Sequence, residues 1–86
     1  LAPHPGSITF PINQTTLSGG LTVSDLDVKN TIIQLAENLK IIAEPGGAVA
    51  AAALLFNKIE IKNKNVVVMI SGSNIDYSFF SSIIAQ

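Results

Sequence analysis

The sequence contains no cysteine, arginine or tryptophan, and only 13% of its 86 residues are charged. Without cysteine it can form neither a disulfide framework nor a thiolate metal site. The net charge is −1, and no basic stripe with interleaved aromatic residues argues for nucleic-acid binding. The longest apolar run, residues 48–56, falls well short of the roughly 20 residues that span a bilayer. The composition therefore predicts a cytoplasmic protein without a nucleic-acid or membrane partner.

The sequence does have a large apolar share. Hydrophobic residues make up 48% of the chain, and its charged share is about half of what is usual for a soluble domain. A chain this short buries only about 60% of its unfolded surface. A surface with this large an apolar share therefore needs to be covered by another segment or chain. The sequence also begins at Leu1 rather than at methionine. These points predict a piece of a larger protein whose remainder supplies the cover, with an obligate oligomer as the alternative.

Prolines and glycines divide the chain into two parts. Residues 1–20 carry three of the four prolines and end at Gly19 and Gly20, which predicts an irregular lead-in. One or two helical turns are expected in it after Pro11. Residues 21–86 are expected to form the α/β part.

The first strong helix signal covers residues 25–40. "LTVS", at 21–24, predicts a short strand before it. Ser24 is a good N-cap, and Asp25 and Asp27 fall in the first turn, where carboxylates suit the positive end of the helix dipole. The predicted apolar face has helical spacing and comprises Val28, Ile32, Leu35, Ala36 and Leu39.

Two further helices and one hydrophobic strand complete the pattern. Pro45 predicts the first position of a helix through "GGAVAAAALLFN", with Glu44 as its N-cap; this helix is apolar all round and should be buried on most sides. "VVVMI", at 66–70, is typical of a strand covered on both faces of a parallel sheet. Asp76 predicts the cap of a last helix, "YSFFSSIIAQ". The order favours an α/β fold, a fragment of a parallel, three-layer sheet with flanking helices.

The first candidate for chemistry is "SGSN", at 71–74. In open α/β sheets ligands bind just beyond the carboxyl ends of strands, and Ser71 is the first residue beyond such an end. Gly72 lets a ligand or another backbone approach closely, and the helix start that follows attracts anions. An ordinary strand-to-helix turn is the alternative. The glycine patterns of a dinucleotide fingerprint and of a hydrolase elbow are both absent.

The second candidate is "EPGGA", at 44–48. Glu44 is interpreted either as a carboxylate aimed into a site or as a helix cap followed by glycines for close packing. His4, between two prolines, has no evident Ser or Asp partner and is expected to be an exposed loop residue. The six acidic residues show no metal-ligand spacing, so no metal site is expected.

Four stretches together resemble one family: "PGSITFPIN", "LTVSD", "LKIIAEPGGAVAAAALL" and "VVVMISGSNID". They resemble the C-terminal end of the threonine/serine dehydratases, pyridoxal-phosphate enzymes of the fold type II, tryptophan synthase β-like group. The resemblance covers nearly the whole chain. The most specific feature is the combination of two motifs. A Glu-Pro-x-Gly-Ala helix start is followed by a buried strand that ends in Ser-Gly-x-Asn, and either motif alone would be weak evidence. Serine racemases and the dehydratase-like enzymes of hydroxyectoine breakdown share both motifs.

The resemblance implies that Ser71 hydrogen-bonds the pyridine nitrogen of pyridoxal 5'-phosphate. A neutral hydroxyl, unlike a carboxylate, does not force that nitrogen to stay protonated, which suits elimination of a β-hydroxyl over transamination. Glu44 corresponds to a glutamate near the ring side of the cofactor, and Gly72 and Asn74 are further candidates for cofactor binding. Ser73 departs from the family, where glycine is usual.

The resemblance also implies what this segment lacks. The family's Schiff-base lysine lies in an N-terminal Ser-Phe-Lys motif, and a separate glycine-rich loop holds the phosphate; neither occurs here. The segment is therefore expected to form one wall of a site, to contain no catalytic residue and to be inactive alone. The complete lyase would convert L-threonine or L-serine to a 2-oxo acid and ammonia. Its partners would be the amino-acid substrate and the rest of the enzyme chain, and a homo-oligomer is compatible with them.

Two alternatives stay open. Racemisation occurs in the same family and depends on an acid on the opposite face of the cofactor, in a region that this sequence does not include. A non-catalytic module that binds a small molecule or docks onto another chain would also explain the apolar surface.

Overall fold

The computed structural model describes residues 4–85, so residues 1–3 of the predicted lead-in and Gln86 lie outside the described part. Its regular structure is helical: α1 (Thr9–Thr16), α2 (Asp25–Gln34), a π-helical turn (Leu35–Leu39), α3 (Pro45–Leu55) and α4 (Tyr77–Ile84). Among the helices of residues 4–85, none combines the length and the hydropathy that a membrane crossing requires.

Helix α2 begins at a reciprocal capping box, which confirms Ser24 as its N-cap. The Asp27 backbone N–H donates to the Ser24 hydroxyl at 3.0 Å, and the Ser24 N–H donates to the Asp27 carboxylate at 3.2 Å. Lys58 Nζ lies 3.6 Å from the same carboxylate. The hydrogen bond from the Ser24 backbone is the main cause that holds the pKa of Asp27 below its usual 3.8, against a smaller opposing effect of desolvation.

The predicted helix over residues 25–40 changes its geometry before it ends. Regular α-helix stops at Gln34, and the π-helical turn Leu35–Leu39 continues to Lys40, whose left-handed backbone (φ 58°) closes the end. Of the predicted apolar face, Val28, Ile32 and Leu35 are buried and Ala36 is partly buried. Leu39 is instead exposed, because the wider turn breaks the 3.6-residue spacing on which the prediction depended.

The core lies where α2 packs against α3 and α4. Small residues on α3 allow the close approach of α2. The buried apolar residues are Val28, Ile32, Leu35, Ala43, Ala48, Ala51, Ala52, Phe80 and Ile83. Thr31 is also fully buried, and its hydroxyl is satisfied by donating to the Asp27 carbonyl at 2.7 Å. The expectation that α3 is buried on most sides is wrong for this chain alone, because Val49 and Leu55 are exposed.

The two predicted strands, at 21–24 and 66–70, are not paired with any strand within residues 4–85. A strand is defined by hydrogen bonds to a neighbour, and this part of the chain provides none. Val68 and Ile70 pack against the core, whereas Val67 and Met69 are 92% and 72% exposed. One face of the segment is thus partly covered by the core and the other is bare, and the parallel sheet stays a prediction.

The two ends of the chain differ from expectation in detail. Helix α1 starts at Thr9, so the helical turns begin before Pro11 rather than after it; proline is tolerated in a first turn, where its missing N–H has no helical partner. His4 is exposed, as predicted. Helix α4 begins at Tyr77, as predicted, but the Asp76 side chain accepts a hydrogen bond from the Ser78 hydroxyl instead of capping the backbone.

Candidate functional site

The fold brings the two candidate motifs into direct contact. The backbone N–H of Glu44, at the start of "EPGGA", donates a hydrogen bond to the carbonyl oxygen of Gly72, in the middle of "SGSN", at 3.1 Å. This bond joins the residue before α3 to the loop before α4. The two motifs that the sequence singled out separately are therefore parts of one structure.

Two glycines make this contact possible. A Cβ placed on Gly47, in the first turn of α3, would collide with the carbonyl oxygen of Gly72 and lie 2.8 Å from its nitrogen. Neither glycine has a positive φ, so both are needed for space rather than for backbone conformation. The close-packing interpretation of "EPGGA" is thus confirmed for Gly47, a residue absent from the predicted site. The second glycine of the motif was the sequence signal for a close contact, but the motif does not indicate which residue Gly47 contacts.

Glu44 occupies the predicted N-cap position of α3, but its side chain makes no capping hydrogen bond. The capping half of that interpretation is therefore wrong. The side chain instead covers the α-carbon of Gly72: a Cβ at Gly72 would lie 2.5 Å from Glu44 Oε1 and 2.7 Å from its Cδ. The carboxyl group thus lies beside the loop, as the alternative interpretation of a carboxylate at a site requires.

The loop at 71–74 is held at three points. Ile70 before it and Ile75 after it are partly buried against the hydrophobic core. The Ile75 N–H donates to the Ser73 carbonyl at 3.0 Å, which makes the end of the loop a tight turn. The third point is the bond from Glu44 to Gly72. Short, small and anchored at each end, this loop has a defined backbone position.

The polar side chains of the loop face solvent. Ser71 and Asn74 are exposed, and no side-chain hydrogen bond involves either of them within the described part of the chain. The Ser71 hydroxyl can both donate and accept, and the Asn74 amide offers two donors and an acceptor. Both groups are therefore available to a ligand, while Gly72, half-buried between them, serves the packing.

The chemistry of this loop suits a flat polar ring better than an anion. Its residues are small, its two exposed hydroxyls, those of Ser71 and Ser73, are neutral, and no lysine falls in it or in "EPGGA". The Asp76 carboxylate already sits at the start of α4, where a phosphate would otherwise be attracted. The loop thus fits a ring edge with a hydrogen-bonding atom, and a phosphate group would need cationic or glycine-rich partners from elsewhere.

Comparison with known proteins agrees with these features. The family model described as "Pyridoxal-phosphate dependent enzyme" matches residues 1–72, a range that includes both Glu44 and Ser71. An L-threonine ammonia-lyase of Thermotoga maritima is 38% identical over 93% of this chain and 20% of its own length. The catabolic L-threonine dehydratase TdcB of Escherichia coli is also 38% identical, over 93% of this chain and 25% of its own length.

A relative with a different name is similar to nearly the same degree. The serine racemase of Schizosaccharomyces pombe is 34% identical over 96% of this chain and 26% of its own length. The chain spans between a fifth and about a quarter of the length of these relatives. Because the family model matches well over half of the residues, the chain belongs to the pyridoxal-phosphate-dependent enzymes.

Proposed function

We propose that this chain forms one wall of the active site of a lyase that eliminates water from L-threonine or L-serine, after which water hydrolyses the resulting imine to a 2-oxo acid and ammonia. The contact between Glu44 and Gly72 carries the proposal, because it joins the two motifs into one edge and leaves Ser71 exposed on it. Relatives named threonine ammonia-lyase and threonine dehydratase support this choice of reaction.

Ser71 is the residue that we assign to the pyridine nitrogen of pyridoxal phosphate. When bound, the cofactor supplies the electron sink that makes bond cleavage at the amino-acid α-carbon accessible. The Ser71 hydroxyl orients the ring through a neutral hydrogen bond and leaves the nitrogen without a charge partner. The exposed hydroxyl and the small residues around it fit this role.

The other residues of the edge have supporting roles. Gly72 gives the loop its close approach to α3, and the Glu44 carboxyl group lies over its α-carbon. The exposed Asn74 amide is available to the ring substituents or to the substrate. These assignments concern the ring side of the cofactor, and the lysine and phosphate partners belong to the rest of the enzyme.

The bare apolar surface is the proposed contact with that remainder. Val67 and Met69 point away from the core and are 92% and 72% exposed. Full burial of such side chains contributes about 1.5–3 kcal/mol each. Residues 66–70 would pair with neighbouring strands of the remainder to complete a parallel α/β sheet. Without that remainder, the segment alone is expected to be inactive.

We also propose that the complete enzyme is cytoplasmic.

Racemisation is the second candidate reaction, favoured by the relatives named serine racemase. The two reactions are separated by incubating the complete enzyme that carries this segment with L-threonine and, separately, with L-serine. Elimination yields 2-oxo acid and ammonia in equal amounts from whichever of the two substrates the enzyme accepts. Formation of D-serine without 2-oxo acid would show that the enzyme is a racemase and not a lyase. No turnover by a cofactor-loaded enzyme would favour the non-catalytic module.

A further inference from the structure

We infer that Gly47 is a positioning residue, which sets the place of the Ser71 hydroxyl through backbone contact with Gly72. The inference rests on the proposed function of Ser71 and extends it to a residue outside the loop. Gly47 touches no cofactor or substrate in this assignment; it acts through the backbone of its neighbour.

The contact between the two glycines leaves no room for a side chain on α3. A Cβ on Gly47 would meet the carbonyl oxygen, the nitrogen (2.8 Å) and the carbonyl carbon (3.1 Å) of Gly72. All three are backbone atoms, which cannot rotate out of the way as a side chain can. Gly46, its neighbour in the same helical turn, is exposed. Of the two glycines at the start of α3, Gly47 is thus the one in backbone contact with the loop.

A methyl group at position 47 must displace the loop rather than the helix. Helix α3 is fixed by Ala48, Ala51 and Ala52, which are buried in the core. The loop is the more exposed of the two partners, because Gly72 is only half-buried and both of its neighbours, Ser71 and Ser73, are exposed. Moving the Gly72 peptide lengthens its bond with the Glu44 N–H and shifts Ser71, which is joined to it by one peptide bond.

Hydrogen exchange tests the backbone half of the inference without the cofactor. The probe is the Glu44 amide in the complete, cofactor-free enzyme, compared between Gly47→Ala and its matched control Gly46→Ala. Both changes add one methyl group in the first turn of α3 and improve helix propensity. We expect exchange at Glu44 to be about tenfold faster in Gly47→Ala, by loss of one hydrogen bond, and unchanged in Gly46→Ala. Equal rates in the two variants would overturn the inference.

Titration with pyridoxal phosphate tests the link to Ser71. Gly47→Ala is measured in the wild-type background and in the Ser71→Ala background, by the visible absorbance of the bound cofactor. If Gly47 acts through Ser71, the change weakens binding in the first background by no more than Ser71→Ala does, roughly twofold to tenfold, and much less in the second. The same fold-change in both backgrounds would show a general structural role and overturn the inference.

The two proposals fail in different ways. If Ser71→Ala by itself leaves affinity and absorbance unchanged, the assignment of Ser71 to the cofactor is wrong, and with it the cofactor half of this inference; the exchange rate at Glu44 still decides the backbone half. Aggregation of Gly47→Ala, with Gly46→Ala folded, would show that Gly47 supports the fold as a whole and would count against a positioning role.

Discussion

Glu44 and Gly72 lie far apart along the chain, yet the backbone N–H of one donates to the carbonyl oxygen of the other at 3.1 Å. The Glu44 side chain lies over the α-carbon of the same glycine. The start of α3 and the loop before α4 thus behave as one unit. A substitution in either motif is therefore expected to displace the backbone of the other.

Gly72→Ala should lower the free energy of unfolding of the complete enzyme by about 1 kcal/mol, the low end for added volume. The cost is small because the new methyl group meets the flexible Glu44 side chain. Combining it with Glu44→Ala removes those atoms, so the double variant should be more stable than the sum of the single effects by at least about 0.5 kcal/mol. Denaturant unfolding measures both.

Gly20→Ala is the control for this pair, since nothing lies within 4 Å of a Cβ there. It should leave stability unchanged or slightly raised. Strict additivity of Gly72→Ala and Glu44→Ala would contradict the packing of the Glu44 carboxyl group on Gly72.

Ser71→Ala should weaken the binding of pyridoxal phosphate by roughly twofold to tenfold, the range for one lost hydrogen bond. Turnover should fall as well, because the ring loses an orienting contact. Ser73→Ala, two positions along the same exposed loop, is the matched control and should bind the cofactor like the wild type. The measurement is an absorbance titration, and equal behaviour of the two variants would remove Ser71 from the site.

Asp27 makes a pH-dependent contribution to stability. Its pKa in the folded protein is lowered, chiefly by the backbone hydrogen bond from Ser24. The contribution is therefore fully present above the usual pKa of 3.8 and is lost as the pH falls through the lower folded value. Asp27→Asn should flatten the fall in unfolding free energy below about pH 4.

Asp25→Asn provides the comparison, because Asp25 lies in the same first turn and is exposed, outside the capping box. This variant should retain the wild-type loss of stability in acid. Identical acid unfolding profiles for wild type and Asp27→Asn would show that the capping box does not carry the effect.

Ile32→Ala should cost about 2–5 kcal/mol of unfolding free energy, because Ile32 is fully buried at the centre of the α2, α3 and α4 packing. Leu26→Ala, on the exposed side of the same helix, should cost far less. Thermal unfolding of both variants checks the ranking, and a larger effect at Leu26 would mean that α2 is buried by its other face.

Local signals predicted the helices well. The capping residue Ser24, the spacing of Val28, Ile32 and Leu35, and Pro45 at a helix start all act within a few residues of themselves. The π-helical turn was missed because its geometry depends on how Leu35–Leu39 closes onto Lys40. The predicted strand at 66–70 has no partner among residues 4–85, because strand pairing depends on remote segments that a local pattern does not indicate.

The sequence predicted the residues of the candidate site but not the contact between them. Sequence patterns singled out Glu44, Ser71, Gly72 and Asn74, yet nothing local indicates that Glu44 and Gly72 share a hydrogen bond. Gly47 was missed as part of this contact because its partner is far away in the sequence. The two backbones meet only when α3 packs in the core, and a local sequence pattern does not indicate which remote backbone atoms then come into contact.

A structure of the complete enzyme with pyridoxal phosphate would show which group meets the pyridine nitrogen. We expect Ser71 Oγ to lie within hydrogen-bond distance of that nitrogen, about 2.5–3.2 Å, with the bond between Glu44 and Gly72 intact. A carboxylate at that nitrogen, or the loop at 71–74 on the phosphate side of the cofactor, would contradict it.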